Sequence, residues 1–381
     1  MKRFMVIVLS LVVFASCANK LSDFVRVQNY MVDNAVVAHR GCPYWTPEHT
    51  EAGFRWARNI GADYLEVDLH RTQDGALIIK HDATFERTTD VAVKFPGREK
   101  DGVEKFVFAE ILQLDAGSWF NERFPDRARE NFAGLEILVF EDVLRIAEGK
   151  RIKRDANGKR IFSRSETGEY IFEYEDDPAF NGNLPGVYFE FKIPENYPEI
   201  EEQVYEVLTR TGWNILEGES IDEKTPAYID GKVNIGKTRG KIVSQTFSRQ
   251  GLENVFRVFE GKILSAFLVG TADDFTTEES IDEIIEFAKS MGAQLIGSNL
   301  ETARNKDGMS PIFSQRLRAA GLKSHVYTFT NVEQMEKYHE LTEGQFTDRA
   351  DLTLDFFHEK GIRPTGKQGG TPEEILNALG Y

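Results

Sequence analysis

Short runs rich in β-branched and other apolar residues alternate along most of this chain with longer segments whose apolar residues recur every third or fourth position. The short runs predict strands over 35–41, 64–70, 76–81, 187–192, 241–247, 263–270, 294–299, 325–330 and 344–348. The longer segments predict helices over 51–59, 140–148, 200–209, 250–259, 280–291, 311–320, 332–340 and 352–360. In the segment 279–291, Ile281, Ile284, Ile285 and Ala288 share one helical face. Gly61, Gly292, Gly321 and Gly361 stand where helices should end. Repeated strand–helix pairs imply a parallel sheet covered by helices. With 76–81 set aside, eight strands remain, which predicts an α/β fold closed as a (β/α)8 TIM barrel. An open doubly wound sheet would show the same alternation, but no Gly-rich dinucleotide or phosphate loop follows the first strand.

Two stretches break the rhythm. Residues 83–134 are irregular and polar around one short helix at 108–114. Residues 150–185 contain GKRIFSRSETGEYIFEYEDD, which reads as two strands around a Glu166-Thr167-Gly168 turn. Both precede the third barrel strand and are expected as insertions on one face of the barrel, an inserted subdomain and a β-hairpin near the active site. The chain starts MKRFMVIVLSLVVFASC. Lys2 and Arg3 followed by an apolar run over 5–14 read as a secretory signal, too short to span a bilayer with ease. Phe14-Ala15-Ser16-Cys17 resembles a bacterial lipoprotein cleavage site with Cys17 as the lipidated first residue, although Phe14 stands where Leu is usual. Plain secretory cleavage near Ala18 is the alternative. The expected organisation is a signal over 1–16, a tether over 17–34 with one weak helix, a barrel over 35–365 and a tail over 366–381.

Composition narrows the classes. The 381 residues are 41% hydrophobic and 12% aromatic, enough to bury a core, so disorder is excluded. Two cysteines exclude a disulfide scaffold and a four-cysteine zinc site. A net charge of −16 argues against a nucleic-acid partner. It leaves room for an anionic substrate where a metal or a local Arg sits in the site.

Candidate chemistry is concentrated between Val36 and Thr89. His39 and Arg40 stand at a strand end, and Glu66 and Asp68, two apart on the next strand, project from one face. Charges pointing into a barrel are costly unless they bind something, and paired hard oxygens suit Ca²⁺ or Mg²⁺. Asp74-Gly75 favours a two-residue hairpin loop, which would set Asp68 opposite His81 and bring that histidine to the carboxylates. Glu190 and Lys192 share a face of the next strand, so Glu66, Asp68 and Glu190 should converge at the barrel top with two histidines, Arg40 and Lys192. That set suits hydrolysis of a phosphate diester. Cys42 reads as a bystander, and Tyr44, Trp45, Trp119, Phe120, Tyr327 and Phe329 as packing, with Trp119 a candidate wall for an alcohol pocket. His325, His339 and His358 read as structural or solvated. His70 shares the face of Asp68 and could approach the site.

HRG with PEHT behind it, then GADYLEVDLHRTQDGALIIKHD and ERTT, closely resembles the signature of the glycerophosphodiester phosphodiesterases. The resemblance continues through LDAGSWF, YFEFK, SQTF, VYTFTN and QFTDRADL, and so covers most of the chain from about Ala35 to Leu354. The long insertion and KIPENYPEIEEQ look like the periplasmic, calcium-dependent branch. The resemblance implies a phospholipase C-like phosphodiesterase barrel that releases glycerol 3-phosphate, with His39 and His81 as the catalytic pair. It implies Glu66, Asp68 and Glu190 as ligands of one divalent cation, Ca²⁺ ahead of Mg²⁺, and Arg40 and Lys192 as phosphate contacts. Glu48 matches a supporting residue that orients Arg40 or His39. The family usually carries Asn where this chain has His49. A lipid-directed phospholipase D-like or phosphoinositide-cleaving barrel, or a non-catalytic surface lipoprotein that binds phosphodiesters or glycans, fits the motifs less well. The expected partner is a small-molecule substrate, with membrane contact only through Cys17 and no protein partner. The expected location is the bacterial cell envelope.

Overall fold

The structure, a computed structural model, describes residues 24–270, 276–300 and 308–381; the signal segment 1–16 and Cys17 lie outside them. Eight parallel strands form the sheet: β1 Ala35–Ala38, β2 Tyr64–Arg71, β3 Gly186–Phe191, β4 Ile242–Thr246, β5 Leu264–Val269, β6 Leu295–Ser298, β7 Lys323–Phe329 and β8 Gly344–Thr347. Each pairs with the next, and β1 pairs with both β8 and β2, which closes the barrel. Every predicted helix is present with small shifts at its ends, from Glu51–Ile60 to Ala350–Glu359. Their apolar faces pack on the outside of the strands, and a separate cluster fills the inside. Among the described residues, no helix is long and apolar enough to cross a membrane.

Two segments expected to lie outside the barrel belong to the body. The stretch read as a tether brings Val27 and Met31, both buried, against Tyr64 and Tyr188 at the N-terminal end of the barrel. The stretch read as a tail folds as the helix Pro372–Leu379, capped by Thr371 with Glu374 reciprocating. Its Ile375, Leu376 and Leu379 are buried, and the Trp56 indole N–H donates to the Pro372 carbonyl at 3.1 Å.

The segment after β2 corrects the expected hairpin. A short strand, Leu77–Ile79, runs antiparallel to β2, but Leu69 pairs with Ile79 and Arg71 with Leu77. The Thr72 amide donates to the Ala76 carbonyl, so the loop has three residues, with Gly75 at φ 89°. Asp-Gly serves a type I turn followed by a left-handed glycine as well as it serves the two-residue turn. The extra residue slips the register by one and so exchanges the faces. Asp68 therefore stands opposite Lys80, whose amide donates to the Asp68 carbonyl at 2.9 Å, and not opposite His81.

The second insertion contains the expected hairpin around Glu166-Thr167-Gly168 but departs from expectation in its second strand pair and in its place. It forms two small antiparallel pairs, Lys150–Ile152 with Tyr174–Asp176 and Phe162–Arg164 with Tyr170–Phe172. It leaves from the C-terminal end of helix Phe140–Ala147, the far end of the barrel from the strand C-termini, and lies along the outer helices. Phe162, Tyr170 and Phe172 pack edge-on to Phe108 of the first insertion at centroid distances of 5.8, 4.9 and 5.7 Å. It adds no residue to the cavity at the strand C-termini.

Buried ion pairs hold this insertion down. Asp177 accepts from Arg55 at 2.8 Å through both oxygens and from Arg58 at 2.6 Å. Arg160 pairs with Asp142, which also accepts from the Tyr174 hydroxyl at 2.8 Å. Burial alone would raise the Asp177 carboxyl, but the two guanidinium groups outweigh it and hold it down to about 2. Because that value lies below the unfolded one of about 3.9, the stabilisation is complete above about pH 4 and is lost as pH falls towards 2. Asp177→Ala, which strands two buried guanidinium groups, should lower unfolding free energy by about 3–5 kcal/mol at pH 7, with a smaller loss at pH 3. Urea denaturation at both values checks this; equal losses would contradict it.

Candidate active site

The chain leaves β1 through three left-handed residues, Arg40, Gly41 and Cys42, at φ 49°, 77° and 66°. Gly41 also faces the start of helix Glu51–Ile60, where a Cβ would come to 3.0 Å from the Gly53 carbonyl carbon. This strained turn aims the Arg40 amide at Glu66, donating to Oε2 at 2.8 Å, and turns His39 over the barrel mouth. Parallel pairing sets Asp68 of β2 beside Glu190 of β3, and Glu190 beside Gln245 of β4. Glu66, Asp68 and Glu190 thus meet inside the barrel, all buried, with one carboxylate oxygen of each within 4.8 Å of the others.

Their surroundings are polar but short of positive charge. Lys192 Nζ lies 2.9 Å from Glu190 and 3.7 Å from Asp68, and Arg40 Nε lies 3.7 Å from Asp68. Gln245 donates to Glu66 Oε1 at 3.2 Å. His49 stands 2.8 Å from Asp68 Oδ2. Burial, with the charge of Asp68 adding to it, pushes Glu66 well up and Glu190 up to about 8. Burial opposes ionisation of Asp68 too, but Lys192, His49 and Arg40 together hold it low. Three crowded hard-oxygen donors, two of them pushed towards protonation, are a donor set that fits one divalent cation.

Two histidines flank this triad, each backed by a carboxylate. His39 Nδ1 lies 2.7 Å from Asp348 Oδ1, just past β8. His81 Nδ1 lies 2.7 Å from Asp82 Oδ1. With Nδ1 engaged, Nε2 of each ring is left for chemistry at the cavity both residues line. His81 arrives there by another route than the predicted register. Lys80 makes the last main-chain bond to β2, its side chain turns away to donate to Thr88 Oγ1 at 2.6 Å, and the next residue swings to the mouth. His70 lies beneath, buried, with Nδ1 2.9 Å from the Tyr197 hydroxyl and Nε2 3.5 Å from the His81 carbonyl. Burial pushes the His81 imidazole below its usual value, against the pull of Asp82, so it is neutral at pH 7.

Glu48 acts in a different direction from the one expected. It grips the Arg87 guanidinium with both oxygens, at 2.6 and 2.9 Å, and Arg87 Nε holds Asp82 at 2.5 Å. Arg40 is farther away, at 3.8 Å. The support therefore runs from Glu48 through Arg87 and Asp82 to His81. Burial alone would raise Glu48, but Arg87 and Arg40 hold it down to about 2.

The cavity measures about 110 Å³. Its charged side comes from β1 to β3 and the segment carrying His81. Its other wall is Phe247, Leu268, Tyr327 and Phe346, from β4, β5, β7 and β8. Trp119 is not on it; its indole N–H donates to the Ala116 carbonyl. Cys42 is fully buried, and burial pushes its thiol up, which suits a bystander. Sequence reasoning missed Asp82, Arg87, Gln245 and Asp348. Each lies inside a motif it had marked, HD, ERTT, SQTF or QFTDRADL, and a carboxylate just past a strand end was the available signal. The arrangement can hold a phosphate against positive charge while two imidazoles take up and deliver protons.

Known proteins resemble this chain in sequence and in fold. Residues 39–165 match the model of the Glycerophosphoryl diester phosphodiesterase family. A curated Bacillus subtilis glycerophosphodiester phosphodiesterase is 27% identical over 317 residues, covering 83% of this chain and 84% of its own length. An Oleispira antarctica phosphodiesterase, solved in complex with the product sn-glycerol-3-phosphate, superposes with a TM-score of 0.55 at 17% identity over 92% of this chain and 98% of its own. A glycerophosphodiester phosphodiesterase from Parabacteroides distasonis does so with a TM-score of 0.52 at 15% identity over 87% of this chain and all of its own. At those identities the two structures bear on the fold alone.

The raised carboxyls carry a measurable consequence. A group pushed up to about 8 is mostly protonated at pH 7, so a cation entering the triad must displace protons. Metal affinity should rise with pH up to about 8, and calorimetry in buffers of different ionisation enthalpy should register proton release at pH 7. Binding without proton release would contradict this.

Proposed function

We propose, from the match of residues 39–165 to the Glycerophosphoryl diester phosphodiesterase family model and the likeness to the curated Bacillus subtilis enzyme, that this chain belongs to that family and hydrolyses glycerophosphodiesters to glycerol 3-phosphate and an alcohol. The observation that carries this reading is the meeting, in one cavity, of two carboxylate-backed histidines with a buried triad of carboxylates. Glu66, Asp68 and Glu190 would hold one divalent cation, Ca²⁺ before Mg²⁺, which when bound neutralises phosphate oxygens and stabilises the charge that builds on them. Arg40 and Lys192, already beside the triad, grip the same phosphate.

The proton steps fall to the histidines. In the first half, one imidazole Nε2 removes the proton of the glycerol hydroxyl next to the phosphate, and that oxygen attacks phosphorus. The other delivers a proton to the departing alcohol as its P–O bond breaks. In the second half the roles reverse, and water opens the cyclic phosphate to glycerol 3-phosphate. Asp348 and Asp82 fix the tautomer and stabilise each imidazolium as it forms. Direct attack by water is the competing route. The signal-like start supports a bacterial envelope lipoprotein anchored at Cys17, in the periplasm or at the outer membrane.

Glycerol 3-phosphate release from glycerophosphocholine tests the reading. Release should occur with Ca²⁺ or Mg²⁺ and stop with EDTA; no release with either metal from folded protein would overturn it. His39→Ala and His81→Ala should each lower kcat by about 10²–10⁴-fold. Glu190→Ala should weaken metal binding, with excess metal restoring part of the rate. Bis(p-nitrophenyl) phosphate, which has no neighbouring hydroxyl, should turn over far more slowly; equal turnover would remove the cyclic route.

A further inference from the structure

We infer that His49 is a positioning residue for the cation site, holding one oxygen of Asp68 so that the other is presented to the cation; this rests on the metal-dependent reading above. His49 Nε2 lies 2.8 Å from Asp68 Oδ2, and both side chains are almost completely buried, at 4% and 2% exposed. The other charged neighbour of that oxygen, Arg40 Nε at 3.7 Å, supplies charge but lies beyond hydrogen-bond distance. Lys192 approaches the opposite oxygen, Oδ1, at 3.7 Å. The remaining ligands are steadied in the same way, Glu66 by the Arg40 amide and Gln245, Glu190 by Lys192. His49 is the corresponding support for Asp68.

The second ring nitrogen settles which proton is involved. His49 Nδ1 is buried and meets no hydrogen-bond partner among the described residues. A bare acceptor there is tolerable, whereas a buried N–H without a partner is costly. The neutral ring therefore carries its hydrogen on Nε2, the atom facing Asp68. A direct ligand role for the imidazole does not fit, because Nε2 is committed to Asp68 and the ring packs beside Phe54, with centroids 6.1 Å apart.

The backbone reinforces the point. His49 sits at φ 57°, a left-handed conformation that Asn adopts far more cheaply than His. Its amide donates to the Arg40 carbonyl at 3.0 Å. One residue thus ties the turn carrying His39 and Arg40 to the ligand Asp68. A side chain kept at such a position is one whose donor is used, and an Asn donor there would serve the same oxygen with less strain.

The test is metal affinity, read by calorimetry on the full chain with Ca²⁺ and Mg²⁺ separately, for wild type, His49→Asn and His49→Leu. Circular dichroism checks that each is folded. His49→Leu should bind about 10–100-fold more weakly, as when a partner of a metal ligand is lost, while His49→Asn stays close to wild type. Wild-type affinity in His49→Leu would overturn the inference. So would equal weakening in both variants, since that would make the imidazole itself the ligand. In unsubstituted protein, ¹⁵N NMR should show the His49 ring neutral and protonated on Nε2, with and without cation; protonation on Nδ1 alone would overturn the inference without any variant. A wild-type chain that binds neither cation would overturn the metal reading and this one with it, whereas the pattern among the variants bears on His49 alone.

Discussion

Carboxylates removed from water repel one another and resist ionisation, and this barrel places three of them inside its mouth within 4.8 Å. Much of the surrounding structure answers that constraint. Arg40 contributes its backbone amide to Glu66 and its side-chain charge to Asp68, and the left-handed turn at the end of β1 is what allows both. Lys192 follows directly on β3, and Gln245 stands beside Glu190 in the register between β3 and β4. Even so, the fixed positive groups do not balance the site, and Glu66 and Glu190 remain pushed towards their neutral forms. That residual deficit would favour a cation, and a cation bound there would make an acidic protein hospitable to an anionic substrate.

The two histidines are built on different ground. The triad lies on β2 and β3, held by a sheet with no free edge, while His39 and His81 lie just beyond strand ends in irregular chain. Their precision comes from hydrogen bonds. Asp348 reaches His39 across 309 positions of sequence, and the line from Glu48 through Arg87 to Asp82 braces His81. Two histidines with similar backing thus differ in one respect: the charge of Asp82 is shared with Arg87.

The barrel was legible because buried parallel strands read as short apolar runs, and because charges at their ends had no structural purpose. The site's first ring of residues was legible for the same reason, helped by motifs dense enough to name a family. What stayed hidden has particular causes. The hairpin register hung on one residue of loop length, which Asp74-Gly75 leaves open. The place of the second insertion depends on Asp177 meeting Arg55 and Arg58 more than a hundred residues earlier, a pairing no local pattern encodes. The helix at 372–379 was signalled by Thr371, Pro372 and Glu374, an N-cap, a first-turn proline and a reciprocal cap, but at eight residues it is too short to show a helical period. Glu48 was placed by motif alone, which located the residue but not its partner.

The cavity's two walls draw on separate parts of the chain. The charged wall comes from β1 to β3 and the segment just after β2, while the apolar wall of Phe247, Leu268, Tyr327 and Phe346 comes from β4 to β8. The charged lining residues, His39 to Lys192, therefore all precede the apolar ones, Phe247 to Phe346, along the chain. A change at one of these apolar positions redraws the cavity without replacing a charged side chain, whereas Gln245 and Asp348, which support Glu66 and His39, tie the later segments to the charged wall. The cavity's shape and its charge are thus written largely in separate stretches of sequence, so that one can be altered in a lineage while most of the other is inherited.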